Sequence, residues 1–312
     1  MTGKRILSLI ALLLAVSLLP LVAGAEAGAE EYVLLTAEYG ETVQDAAAMG
    51  TDVSFRLVPD GSGVFRMNGQ ELPITWVREE GLTLTQESGD SILLTAEESG
   101  YCMQMGENYY WHFVPESVAG KPSTLMQNYF SQIDGIAGAH LKYGYSTDYL
   151  NADVTIDVQT KGIAYYSRRD TQVKGLTNST ITCYLDGAMY NLDPDKKTGI
   201  IATTVSPEFF GSRSVLAIDK LYGLLSKRVN QRTYTEETRE ANGASAPAIV
   251  YPADSVNAET VFWFDEAGNL LYVLEGAPVI APDMGETFYT VLAVDTNVDP
   301  SLFSIEGYTI GE

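Results

Sequence analysis

Residues 53–76 read VSFRLVPDGSGVFRMNGQELPITW, and the spacing of their apolar and turn-forming positions decides the fold. Val53, Phe55 and Leu57 alternate with polar neighbours, as a strand with one buried face does. Asp60-Gly61-Ser62-Gly63 then reverses the chain into Val64–Met67. Asn68-Gly69 supplies a two-residue hairpin turn, and Leu72, Ile74 and Trp76 resume the period of two. Leu82 and Leu84, Ile92 and Leu94, and Tyr109–Val114 follow at a regular spacing. Short strands divided by Gly, Asp and Asn turns predict a closed meander or small barrel over residues 31–114. A short helical pattern at Thr42–Met49 is expected to cap one barrel end.

A Pro/Gly/Ser stretch, residues 115–123, has linker character and precedes a second module over 124–312. There Leu125, Met126, Tyr129, Phe130 and Ile133 recur at helical spacing, with Ser123 or Thr124 placed as N-cap. A meander follows through Val154, Ile156 and Val158, then 163–167, 181–185 and 188–192. Pro207 to Arg228 reads as one longer helix, with Phe210, Val215, Ile218, Leu221, Tyr222 and Leu225 in a single stripe. Strands return at 232–240, 258–265, 270–275 and 287–295, with Gly268 and Asn269 suited to positive φ between two of them. The fold class expected is α+β and mainly antiparallel β. A small N-terminal barrel would precede a curved, unclosed antiparallel sheet packed on helices.

Two resemblances attach to these patterns. Tyr32–Leu35, Gly40-Glu41, Asp60-Gly61 and Trp76 make residues 31–114 resemble the small lipocalin-like β-barrel modules of exported proteins from Gram-positive gut bacteria. The hairpin Phe262-Trp263-Phe264-Asp265 to Gly268-Asn269-Leu270, with the tail Asp299, Leu302-Phe303 and Gly307-Tyr308, resembles the LolA/LppX-type lipoprotein-carrier fold. The second resemblance implies a half-barrel whose concavity holds acyl chains. Its motifs mark turns and core anchors, and no charged site residue is carried over from it.

Lys4 and Arg5, the apolar run Ile6 to Val22 and the small residues Ala23-Gly24-Ala25 read as a secretory signal over 1–25. Cleavage before Glu26 leaves no Cys for lipid attachment, and the last residues carry no sorting signal. The expectation is therefore a secreted protein with no membrane span after cleavage. Removing 1–25 takes out Lys4 and Arg5 and no acid, leaving 17 basic against 41 acidic residues, a formal charge of −24. Such a surface argues against nucleic acid and anionic bilayers as partners. Cys102 and Cys183 sit in unlike strand contexts, one on a polar face and one on an apolar face, so no disulfide is expected.

No Gly-x-Ser-x-Gly elbow and no His-Glu-x-x-His helix occurs. His112 and His140 read as structural, and with two His and two Cys scattered along the chain no metal site is expected. Asp148, Asp153 and Asp157, and Asp186, Asp193 and Asp195, cluster in sequence but have turn chemistry around them, so no catalytic residue is assigned. No cofactor is expected. If the 207–228 helix only lids the concavity, Val154, Ile156, Ile181, Leu185, Phe210, Leu221, Leu225, Trp263 and Tyr272 are candidate walls of an apolar pocket. The expected function is a non-catalytic exported protein binding a lipid or other apolar small molecule there. The alternative is an extracellular protein-interaction or surface-sensing module with solid β-domains.

Overall fold

The computed structural model describes residues 28–134, 138–147, 152–210 and 214–311. The signal reading at 1–25 and Asp148 lie outside the described residues. The chain forms two compact units. One runs to Pro122 and takes in Asn230–Thr233 and Asp254–Val256; the other comprises Ser123–Val229, Tyr234–Ala253 and Asn257–Glu312.

The N-terminal unit is a meander of β1 (Glu30–Tyr39), β2 (Thr42–Asp45), β3 (Val53–Leu57), β4 (Ser62–Met67), β5 (Gln70–Arg78), β6 (Leu82–Gln86), β7 (Ser91–Glu97), β8 (Gly100–Gly106) and β9 (Tyr109–Pro115). Pairing of β1 with both β3 and β9 closes an eight-stranded barrel. A register shift between Leu34 and Thr36 lets the far end of β1 also hold β2. Thr42–Asp45 is thus a strand followed by turns, not the start of a helix: the Asp45 carboxylate accepts the Ala47 and Ala48 N–H groups and bends the chain locally. At Asn68-Gly69 both φ angles are positive, 50° and 81°, the pattern of the twist-compatible hairpin turn. Eight strands enclose little more than their own side chains, and aromatics occupy the space. Tyr32 stacks on Phe55 at 5.0 Å between ring centres, and Phe55 meets Phe113 at 5.1 Å.

The second unit is a twelve-stranded sheet. After α1 (Glu116–Ala119) in the first unit come α2 (Thr124–Ser131), capped by the Ser123 hydroxyl, and then β10 (Gly138–Thr147), β11 (Ala152–Lys161) and β12 (Ala164–Val173). β13 (Leu176–Leu185), β14 (Ala188–Asp193) and β15 (Thr198–Thr204) continue outward. Beyond α3 (Lys220–Arg228) lie β16 (Thr235–Ala241), β17 (Ala244–Tyr251), β18 (Thr260–Phe264), β19 (Leu270–Glu275), β20 (Thr287–Asp295) and β21 (Thr309–Gly311). The spatial order is 16-17-18-19-20-10-11-12-13-14-15-21, and the two end strands do not pair, so this sheet is unclosed.

The α+β class expected from the sequence is overturned: strands make up 55% and helix 12% of the structure. The long helix over Pro207–Arg228 is broken into a 3₁₀ turn at Pro207–Phe209, another at Val215–Ile218, and the nine-residue α3. Ser206, Ser214 and Asp219 each accept a backbone N–H and start a new segment, so the apolar stripe is shared among short pieces. Among the described residues no helix is long and apolar enough to cross a membrane.

In the barrel, a Cβ on Gly100 would lie 1.9 Å from the Phe113 carbonyl oxygen. Gly100→Ala should force β8 and β9 apart and cost about 2 kcal/mol or more, read as a lower urea midpoint.

Candidate functional site

Strand alternation in the second unit sorts side chains onto two faces. One face builds the main core, in which Val154, Phe210, Leu221 and Leu225 are buried with Tyr129, Leu141, Phe262 and Tyr289. These four expected walls are packed core, and Ile156 belongs to the same core. Trp263 and Tyr272 point the other way, into a cluster with Val250, Val261 and Phe288. Ile181 and Leu185 belong to a third cluster with Cys183 and Leu192, on the outer side of β12–β14. The C-terminal tail covers that cluster through Leu302, Phe303, Ile305 and Tyr308, which accounts for the tail's apolar residues.

The structure does contain a cleft of about 870 Å³, bordered by the N-terminal end of α3. Of the nine expected residues, Ile156 and Ile181 border it. Ile181 has its side chain in the outer cluster and so meets the cleft through its backbone. Ile218, Asp219 and Lys220 form one wall, and Thr198, Ile200 and Thr309 lie along another.

The register explains the cleft's chemistry. Tyr143, Ile156, Arg169 and Thr180 are successive cross-strand partners from β10 to β13. A neighbouring row runs Leu141, Val158, Ser167, Thr182, Asn191 and Ile200. Both rows pass from apolar and aromatic groups on β10–β11 to hydroxyl, amide and guanidinium groups on β12–β14. The floor is thus amphipathic along the direction perpendicular to the strands.

The charged groups around it differ in how they are engaged. Arg169 is exposed and has no ion-pair or hydrogen-bond partner for its guanidinium among the described residues. Lys220 is paired with Glu275 at 3.1 Å, and Asp193 with Lys196 at 2.7 Å. Asp219 is 5% exposed; its Oδ1 accepts the Tyr222 N–H at 3.0 Å, and its Oδ2 accepts the Tyr143 hydroxyl at 2.8 Å. Burial raises the Asp219 carboxyl above its ordinary value, against the lowering effect of these hydrogen bonds.

The other residues singled out in the sequence have local partners. Asp153 accepts the Ser146 hydroxyl at 2.6 Å, and Asp157 faces His140 at 3.3 Å. Asp193 also accepts the N–H groups of Asp195 and Lys196, closing a turn. Cys102 and Cys183 are free thiols, and burial pushes the Cys183 thiol up to about 11. Arg169 was missed because a charged residue in a strand reads as solvent-facing; only its register opposite Ile156 places it on the cleft floor.

No family model matches the chain, and no curated protein matches it in sequence. Among solved structures, an uncharacterized conserved protein from Thermus thermophilus aligns at 8% identity with a TM-score of 0.35, covering 60% of this chain and 96% of its own. A domain described as an outer membrane lipoprotein-sorting protein, from Vibrio parahaemolyticus, aligns at 12% identity and TM-score 0.22, covering 57% and 94%. A DUF1329 family protein from Desulfovibrio piger aligns at 11% identity and TM-score 0.24, with the same coverages. At these scores the likenesses carry no argument about function.

Asp219 yields a pH prediction. The folded protein holds this proton to higher pH than the unfolded chain, so the group favours folding most at low pH, and that contribution fades as pH rises through the raised value. Asp219→Asn cannot ionise; its single amide oxygen keeps the cap to the Tyr222 N–H, and its NH₂ stands where Oδ2 accepted the Tyr143 hydroxyl, a pH-independent change. The melting temperature of the wild type minus that of the variant should therefore fall by on the order of a few °C between about pH 4 and pH 7. A constant difference would contradict the assignment.

Proposed function

We propose that this protein binds an amphipathic small molecule, a lipid-like chain with an anionic end, in the cleft of its second unit, and that it does so without catalysis. The graded floor carries this reading. Tyr143 and Ile156 border the cleft at the edge of the core and mark the apolar end of the row, and Arg169 offers an exposed guanidinium farther along the same cross-strand row. A cleft of about 870 Å³ falls in the range that suits a small-molecule ligand.

The graded floor also alters the ligand expected from the sequence. A wholly apolar molecule would cover Ser167, Arg169, Thr180 and Asn191 without satisfying them, which costs free energy. A carboxylate or phosphate over Arg169 converts that cost into a charge-assisted, two-pronged hydrogen bond. The acidic groups nearby are engaged in capping and turns, in keeping with a binding role. Export through the 1–25 signal, and a lipocalin-like character for the barrel, complete the reading of a secreted carrier or sensor of lipids.

Displacement of a fluorescent fatty acid from the purified protein tests the reading. A long-chain fatty acid should compete better than the corresponding alcohol. Arg169→Gln should weaken the acid about tenfold or more and leave the alcohol nearly unchanged. Absence of competition by either compound would overturn the ligand reading, and equal losses for both would remove the anionic anchor.

A further inference from the structure

The outer face of the barrel brings together residues that lie apart in sequence. Cys102 on β8 and His112 on β9 are direct cross-strand partners. Glu97 on β7 lies two residues beyond Thr95, the partner of Cys102, and so shares its face. The three side chains present a thiol, an imidazole nitrogen and a carboxylate oxygen, all within 4.8 Å of one another. The expectation that the histidines and cysteines are scattered is overturned at this point.

The hydrogen-bond chemistry of His112 makes the cluster more than a surface ion pair. Its Nδ1 lies 3.0 Å from Glu97 Oε2, and its Nε2 lies 3.3 Å from Glu38 Oε2 on β1. Both carboxylates are acceptors when ionised, and a neutral imidazole carries one N–H. One of the two contacts therefore calls for a second positive species, either a proton or a metal ion. The hydrogen bond is made at Nδ1, with Glu97 Oε2, while Nε2 is enclosed by protein, has no well-formed hydrogen bond and faces Glu38. A cation at Nδ1 would take the place of the proton in that contact, and the imidazole N–H would then fall on Nε2, facing Glu38.

We propose that Glu97, Cys102 and His112 bind a zinc-class divalent cation on the barrel's outer face, with Glu38 orienting His112 from behind. Sulfur, imidazole and carboxylate are the donor set of zinc, whose bond lengths of about 2.0–2.3 Å put tetrahedral ligands roughly 3.3–3.6 Å apart. The three donor atoms, within 4.8 Å of one another, would draw together by side-chain rotation to reach that spacing. Glu38 completes the carboxylate–histidine–metal arrangement that fixes a ligating tautomer. Three protein donors on an exposed face leave the fourth position to water. Binding displaces the proton of the Cys102 thiol, which burial and the adjacent Glu97 and Glu38 hold above its ordinary value in the absence of a cation. The site lies wholly in the N-terminal unit and does not rest on the ligand reading of the second.

Cobalt(II), a spectroscopically visible substitute for zinc, provides the test on the full chain. Titration should give one equivalent of a four-coordinate spectrum with a thiolate-to-cobalt charge-transfer band, and zinc should abolish it. Cys102→Ser should remove that band, while Cys183→Ser should retain it. His112→Gln should weaken zinc binding at least tenfold, and Glu38→Gln should weaken it about tenfold without changing the stoichiometry. Protection of Cys102 from alkylation by added zinc provides a readout on the unmodified protein, independent of any variant's folding. A band that survives Cys102→Ser, or alkylation at Cys102 unchanged by zinc, would overturn the proposal.

Discussion

The antiparallel pairing of β10 with β20 is the contact on which the second unit depends. It joins residues 140–146 to 288–295, strands separated by most of the unit's sequence, and so makes the two meanders one sheet. Neither meander alone could bury its inner face, because the core takes Leu141, Tyr143, Val154 and Val158 from one side and Phe262, Val273 and Tyr289 from the other. The loop between the two strands must close before those contacts form, which makes the seam the costly step entropically. Aromatic contacts reinforce it where it forms: Tyr289 lies 5.9 Å from Tyr143 and 5.4 Å from Tyr145, centre to centre.

That seam also sets where the core ends and the cleft begins. The α3 segment and the preceding turn bury Val215, Leu216, Leu221 and Leu225 against the strands around the seam. Farther along β12–β14 the same face turns polar at Ser167, Arg169, Thr180, Thr182 and Asn191, while Tyr165 and Tyr184 on these strands stay in the core, where Phe210 packs on Tyr184. Core and cleft are one continuous surface divided by composition. The apolar half is filled by the protein, and the graded half stays available to a ligand.

Much of this was legible from single residues, and the remainder failed for identifiable reasons. The hairpins are local: Asn68-Gly69, Lys174-Gly175, Asp186-Gly187 and Asn242-Gly243 all have positive φ at both residues, and each joins directly paired strands. At 265–269 only Gly268 takes the positive φ expected of it and Asn269. Face assignment on β18 was not legible, because Val261, Phe262, Trp263 and Phe264 are all buried and alternation gives no contrast to read. Phe262 and Phe264 enter the main core while Trp263 packs on the opposite side. Helical periodicity over 207–228 was real, yet the caps at Ser214 and Asp219 start new segments inside it, and periodicity alone does not register a cap. The Cys102–His112 pairing needed the β8–β9 register, which contains a shift between Gln104 and Gly106 that composition does not announce.

Asp219 shows how the wall of the cleft is held. A nine-residue helix has little stability of its own, and the cap supplied by Asp219 satisfies one of its free N–H groups. Burying a carboxylate is unfavourable, but a hydrophobic replacement could not bond both to α3 and to Tyr143 on β10. The next residue repeats the connection: Lys220 pairs with Glu275 on β19, which accepts the Tyr289 hydroxyl from β20 at 3.0 Å. The exposed Lys220–Glu275 pair adds little energy. Its position is what matters, since two consecutive residues of the wall are tied to three strands at the seam. A wall fixed this way loses little further freedom when a ligand arrives, so apolar contact and the guanidinium of Arg169 can act on a preformed surface.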